Sequence, residues 1–310
     1  MKILFMGTPD FALFSLRALV DAGENVAAVV TQTDKPKGRG MALTPPPVKV
    51  FAAAHGIPVY QPKTLKDGAF EDELRAIDPE MIVVVAYGKI LPKYVLDYPK
   101  YGCINIHGSL LPKYRGAAPM QRAVMDGETV TGVTSMYMAE GLDTGDMLLR
   151  EEVAIAPDDN FEDVHDKLGE AGARVLLRTV EAAKHGDLHP IPQNDADSTY
   201  AAKIEKAECL LDFSWDAKRL HDKIRGLSPF PLAYTKLPSG KLFKILRAHP
   251  ADASASAPAG TVIAADKGGI QVACGSGVLI IEIATPEGKK AQSAADLVNG
   301  RQIAVGDRLG

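Results

Sequence analysis

The run Met81-Ile82-Val83-Val84-Val85-Ala86-Tyr87 carries no charge and ends at Gly88. A strand with one face in water alternates apolar and polar residues; this one does not, so both its faces need cover. That is the pattern of a central strand in a parallel sheet with helices packed on either side. Ile3 to Gly7 and Asn25 to Thr31 read the same way, and the turn Gly7-Thr8-Pro9-Asp10 leads into a helix over Phe11–Ala22 that Asp10 can cap. The expected N-terminal architecture is therefore α/β, with a Rossmann-like, mostly parallel sheet. The first turn lacks G-x-G-x-x-G, so a nicotinamide dinucleotide is not indicated. In open sheets of this class ligands bind outside the carboxyl ends of the strands, which singles out the loop that follows from Gly88.

The chain has 310 residues, 46% hydrophobic and 24% charged, enough for two cores of ordinary size. Composition shifts after His185, where prolines, aspartates and asparagines collect. We expect a domain over 1–185, a linker over 186–206 and a second domain over 207–310. A helix is expected over 210–227, followed by short β-like runs at Ala233–Lys236, Lys241–Ala248, Thr261–Ala265, Ile270–Cys274 and Val278–Thr285. Short strands separated by glycine turns suggest a small barrel. No stretch has the length of a membrane span and no secretory leader can be drawn at Met1. Cys103, Cys209 and Cys274 lie far apart, which fits a reducing cytoplasm better than a disulfide frame or a metal knot.

In the segment Cys103-Ile104-Asn105-Ile106-His107-Gly108, alternation turns the two isoleucines towards a core and sets Asn105 and His107 side by side on the other face. A carboxamide and an imidazole at a strand end can stabilise a developing oxyanion and handle a proton. A third group follows another strand-like run, in Glu140-Gly141-Leu142-Asp143-Thr144-Gly145-Asp146. Asp143 could orient the imidazole or hold a proton-carrying water. Competing constellations fail: Asp143-Thr144-Gly145 occurs without the second copy an aspartic protease needs, Ser109 lacks a nucleophile elbow, and there is neither a Walker loop nor a metal-ligand spacing.

Asn105-x-His107, then Ser109-Leu110-Leu111-Pro112, then Asp143 resemble the formyltransferases that use 10-formyltetrahydrofolate. The longer string through Lys113-Tyr114-Arg115-Gly116-Ala117-Ala118-Pro119 is close to the branch whose acceptor is the methionine on initiator tRNA, and Ile224-Arg225-Gly226-Leu227-Ser228-Pro229-Phe230-Pro231 looks like the start of that branch's C-terminal domain, with Phe230 where Trp is frequent. The resemblance covers nearly the whole chain and implies an OB-like barrel for the C-terminal domain. It implies formyl transfer to the α-amino group of initiator methionyl-tRNA for the start of protein synthesis, with Asn105, His107 and Asp143 catalytic. It also implies a folate segment at Ser109, Leu110, Leu111 and Pro112, a pterin pocket at Ala86, Tyr87 and Gly88, no metal, and a cytoplasmic enzyme acting as a monomer.

Charge gives the acceptor a place. Residues 1–185 hold 20 Lys and Arg against 25 Asp and Glu, whereas 203–247 hold 10 against 5. A basic segment on an acidic protein of net charge −4 can steer an anion locally. Lys223, Arg225 and Lys244 are the tRNA contacts expected there. The long loop Thr33–Leu43 adds Lys35, Lys37 and Arg39 between a proline and two glycines, and by resemblance reaches the acceptor end of the tRNA.

Overall fold

The apolar run forms β4 of a seven-stranded sheet made of β1 (Lys2–Gly7), β2 (Asn25–Val30), β3 (Val59–Tyr60), β4 (Met81–Val85), β5 (Cys103–His107), β6 (Val130–Tyr137) and β7 (Met147–Ala154). The computed structural model describes residues 1–37, 41–66, 68, 70–251 and 253–310. Gly38, Arg39 and Gly40, at the heart of the basic loop, lie outside the described residues. The flanks of that loop, Lys35–Lys37 and Ala42–Thr44, pair as a short antiparallel ladder.

The strand order is β7-β6-β5-β4-β1-β2-β3. β1, β2, β3, β4 and β5 run parallel, while β6 and β7 run antiparallel to their neighbours. β1 and β4 are buried nearly throughout, as their sequence requires. The chain leaves β1 towards β2 on one side and reaches β4 on the other, so the order reverses between β1 and β4. Helix α1 (Asp10–Asp21) starts without a side-chain cap: Pro9 is the capping residue and Asp10 instead places its carboxylate in the first turn.

By internal packing the chain forms two units whose segments interleave in sequence. One comprises Met1–Gly116, Val130–Ala154 and His165–Tyr200, the other Ala117–Thr129, Ile155–Val164 and Ala201–Gly310. The second unit is β-rich. Strands β8 (Ala233–Lys236), β9 (Leu242–Ala251), β10 (Val262–Asp266), β11 (Gly269–Ala273) and β12 (Val278–Pro286) join in the order β8-β9-β12-β11-β10, with Gln292–Ser293 added on β12. These strands pair antiparallel with one another. Helix α2 (Ala217–Leu227) seals one side of its core, with Leu220, Ile224 and Leu227 packed among Phe243, Ile245, Leu279 and Ile281. This helix is shorter than the 210–227 expected. The Leu211 N–H donates to the Tyr234 carbonyl instead, and Asp216 caps α2 by accepting from the Arg219 N–H. No helix among the described residues is long and apolar enough to cross a membrane.

α2 also buries His221, whose Nδ1 finds no hydrogen-bond partner among the described residues. Burial pushes this imidazole below its ordinary value of 6.5, with Asp222 opposing and Arg225 adding to the shift. As pH falls through that ordinary value the unfolded chain takes up the proton first. The stability contributed by the neutral, buried ring is therefore present above it and lost as pH falls towards the depressed folded value. Trp215 is the single tryptophan and lies in this unit, so its fluorescence reports the unfolding. Between about pH 7.5 and about pH 5.5 the urea midpoint of the wild type should fall more steeply than that of His221→Asn. Equal pH slopes would exclude His221 as the group responsible.

Candidate active site

β5 is held between β4 on one side, with Val84 opposite Asn105, and β6 on the other, with Asn105 opposite Met136 and His107 opposite Thr134. Ile104 and Ile106 are buried. Asn105 and His107 share the opposite face, at the carboxyl end of the strand. The chain that follows is folded back by β6. The Thr134 hydroxyl donates to the Ser109 carbonyl (2.8 Å) and accepts from the Leu111 N–H (3.1 Å). Gly132 on β6 makes room for this return, since a Cβ there would run into the Leu110 side chain and the Glu151 carbonyl.

Ser109 is fully buried and its hydroxyl donates to the Lys113 carbonyl (2.6 Å). In the expected folate segment its polar atom thus shapes the loop. Leu111 is buried beside it, whereas Leu110 and Pro112 are partly open. The loop brings the Tyr114 carbonyl to 2.9 Å from His107 Nε2; a carbonyl only accepts, so Nε2 carries the proton. The other ring nitrogen, Nδ1, faces Asp143 Oδ2 at 3.7 Å, with both side chains largely buried. Asp143 Oδ2 also accepts from the Gly116 N–H at 2.8 Å. The structure therefore brings Asp143 to His107 across 36 residues of sequence, counting the difference in their numbers. It leaves the Asn105 carboxamide without a hydrogen bond among the described residues. Both nitrogens of His107 face protein groups, so the donor left free to meet an oxyanion here is Asn105.

On the other side of β4 the loop ends converge as well. Ala86 holds a left-handed φ of 46°, a conformation costing about 1–2 kcal/mol for a residue with a Cβ. Gln32, just after β2, donates to the Tyr87 carbonyl at 2.9 Å, and Thr8, just after β1, donates to it at 3.3 Å. Gly88 has φ 77° and lies so near the Gln32 amide that a Cβ would collide with it. The Tyr87 ring is buried, its hydroxyl has no hydrogen-bond partner among the described residues, and burial pushes that phenol up to about 12. Ala86, Tyr87 and Gly88 therefore sit at the carboxyl edge of the parallel strands where the order reverses.

Sequence reasoning missed several supports of this site. Gln193 donates to the carbonyls of Asp143 (2.9 Å) and Gly145 (2.7 Å) and accepts from Arg115 Nε (2.9 Å). Thr199 accepts from the Tyr114 N–H (2.8 Å). Both belong to the stretch expected to be a linker, and the bridge between Ile191 and Met147 ties it to β7. The one signal available was a lone Gln inside a polar stretch, which is indistinguishable from a solvated spacer.

The expected tRNA residues divide sharply. Lys35 and Lys244 are exposed. Lys223 is buried: its ammonium donates to the Leu210 carbonyl (2.7 Å) and lies 4.8 Å from the centre of the Trp215 ring, with burial holding it below the ordinary lysine range. Arg225 is buried too, bound to Asp222 and to the Asp159 carbonyl. The apolar requirement of the α2 face draws both into the unit. The exposed cations of the helix are Lys218 and Arg219, the latter stacked 3.6 Å over Trp215. Lys37 keeps its place in the short ladder, while Arg39 lies outside the described residues. Among the described residues no group of three His, Cys, Asp or Glu side chains could hold a metal ion.

With this geometry in hand, the chain can be set beside known proteins. The formyl transferase family profile matches residues 1–180, and that of formyl transferase, C-terminal domain, matches 203–302. A protein named methionyl-tRNA formyltransferase in Citrifermentans bemidjiense is 47% identical over 310 residues, covering 100% of this chain and 96% of its own. Among solved structures, WlaRD, a sugar 3N-formyl transferase in the presence of dTDP and 5-N-formyl-THF, superposes with TM-score 0.67 at 19% identity, over 94% of this chain and 99% of its own. HypX from Aquifex aeolicus, in complex with tetrahydrofolic acid, gives 0.66 at 18% identity over 98% of this chain, which spans 48% of that longer protein. The structural likenesses show a shared fold. Matched in both halves by the family's profiles and 47% identical end to end to a member that carries the activity in its name, the chain belongs to the formyl transferase family.

Proposed function

We propose that the chain transfers the formyl group of 10-formyltetrahydrofolate to the α-amino group of methionine on initiator methionyl-tRNA, as a cytoplasmic monomer, for the start of protein synthesis. The observation that carries the chemistry is the meeting of an unbonded carboxamide, Asn105, with the His107–Asp143 pair at one sheet edge. The acceptor is supported by the named relative, which matches along the full length of this chain. In this reading the first unit is Rossmann-like and the second is an OB-like barrel. Register shifts around Arg247 and between Val262 and Ala264 are bulges of the kind that bend a sheet towards closure.

The amine nitrogen attacks the formyl carbon and the carbonyl oxygen gains charge. Asn105 donates to that oxygen. The new ammonium must lose a proton, and the carrier nitrogen must gain one before the carbon–nitrogen bond to the folate breaks. His107 keeps Nε2–H on the Tyr114 carbonyl and presents the Nδ1 lone pair towards Asp143. A proton arriving at Nδ1 is shared with the carboxylate, so the pair can take it from the amine and return it to the leaving nitrogen. Ala86, Tyr87 and Gly88 line the pterin pocket, and Ser109 to Pro112 form the wall of the folate site.

Asn105→Ala, His107→Ala and Asp143→Ala are each expected to fold and to lose about 10²–10³ in kcat, read in single-turnover transfer to charged initiator tRNA. Near-wild-type turnover by His107→Ala would remove the imidazole from the proton path.

The RNA is met by cations of the basic loop and of the second unit's surface. Lys35, Lys37 and Arg39 serve the acceptor end, and Lys244, Lys218 and Arg219 serve the body of the tRNA. Lys223 and Arg225 act from inside, by holding α2. Lys244→Glu together with Lys218→Glu should weaken tRNA binding and shallow its salt dependence by about one unit for each phosphate that is no longer neutralised, with folate affinity unchanged. Lys223→Met should leave the salt slope alone and shift the urea midpoint. Filter binding across a salt series decides between them, and an unchanged slope in the double variant would place the RNA elsewhere.

A further inference from the structure

Asp143 is not held by its own strand. It sits beyond β6 in a left-handed backbone conformation, φ 53°, within a turn in which Gly141, Leu142 and Thr144 are exposed. Its carboxylate must nevertheless stay on the Gly116 N–H and opposite His107. The carbonyls of Asp143 and Gly145 both receive their hydrogen bonds from the two N–H groups of one side chain, Gln193. The Gln193 carbonyl is fixed in turn by Arg115 Nε, and Arg115 Nη1 donates to Asp195 (2.8 Å). Residues 191–197 are otherwise exposed; Gln193 alone is turned inward.

The same stretch also steadies His107. Its Tyr114 carbonyl partner belongs to a residue whose N–H donates to Thr199 Oγ1, and the next N–H, that of Arg115, donates to the Thr199 carbonyl (2.9 Å). Residues 193–199 thus brace both members of the His107–Asp143 pair from one continuous piece of backbone.

We propose that Gln193 is a positioning residue for Asp143: it sets the separation of the carboxylate from His107 without touching substrate. The chemistry of the side chain fits this task and few others. Two donors aimed at two carbonyls of one turn, with an acceptor facing an arginine, need a carboxamide of this length. A glutamate could still meet Arg115 but would turn oxygen towards both carbonyls, and a methionine would fill the space and donate nothing.

The proposal rests on the reading of the site given above, and a double-mutant cycle separates the two. Gln193→Met is expected to lower kcat for formyl transfer by about 10²-fold, the scale of a misplacement of about 1 Å, with KM for both substrates within about twofold of wild type. In an Asp143→Asn background the same change should cost less than about threefold, because the carboxylate it positions is gone. A purely structural role would give equal losses in both backgrounds and would overturn the proposal, as would wild-type kcat in Gln193→Met. Should Gln193→Met fail to fold, Gln193→Glu keeps the Arg115 interaction, removes the donors and sets a carboxylate oxygen against both carbonyls; it should show at least the same loss, and full activity there would equally overturn the proposal. Absence of transfer by the wild type in this assay would strike the functional reading, whereas active wild type with an indifferent Gln193 would strike the positioning role alone.

Discussion

The placement of His107 and of the loops beside it depends on five strands pointing the same way. Because β1, β2, β3, β4 and β5 are parallel, each releases its following loop at one edge of the sheet. Thr8, Gln32, Tyr87 and His107 belong to four different loops or strand ends, yet they share that edge without any contact drawing them there. The strand order reverses between β1 and β4, and the loops from the two sides of that reversal meet at the Tyr87 carbonyl. Hydrogen bonds such as Gln32 to the Tyr87 carbonyl are refinements on a placement that strand direction has already made.

This is why much of the site could be read before the structure. An unbroken apolar run reports two covered faces, two covered faces report a parallel strand, and the residue after such a strand is at the ligand edge. That Asn105 and His107 share one face was legible by alternation, while their grouping with Asp143 came from its turn-rich surroundings and from resemblance. Gln193 was not legible, because its importance lies in reaching two carbonyls fifty and forty-eight positions back in the chain. A local pattern carries no trace of that. The start of α2 was misplaced for a related reason: the Tyr234 carbonyl claims the Leu211 N–H, and a distant strand therefore decides where the helix begins.

Charge was legible in amount and not in direction. The basic segment holds its cations on one helix and the first strands of the sheet, but α2 must cover a core, and its positions differ in what they face. Lys223 and Arg225 fall on the covered side, where a backbone carbonyl, an aromatic face and an aspartate offset the desolvation of each cation. Lys218 and Arg219 fall on the open side. Counting residues finds the surplus of positive charge, while the apolar stripe of the helix decides which part of it water can see.

The stretch after His185 has the composition of a spacer and the hydrogen bonding of a strap. The two units also take turns along the chain, with 117–129 and 155–164 belonging to the second although they lie between segments of the first. The chain is therefore poor material for modular exchange. A recombination that swaps the tail at a crossover inside 186–199 delivers a foreign partner for Arg115 and for the turn bearing Asp143, and one placed earlier divides a helix or a sheet. A crossover beyond Thr199 spares those braces but still parts 117–129 and 155–164 from the remainder of the second unit, so catalytic half and tail are best inherited together.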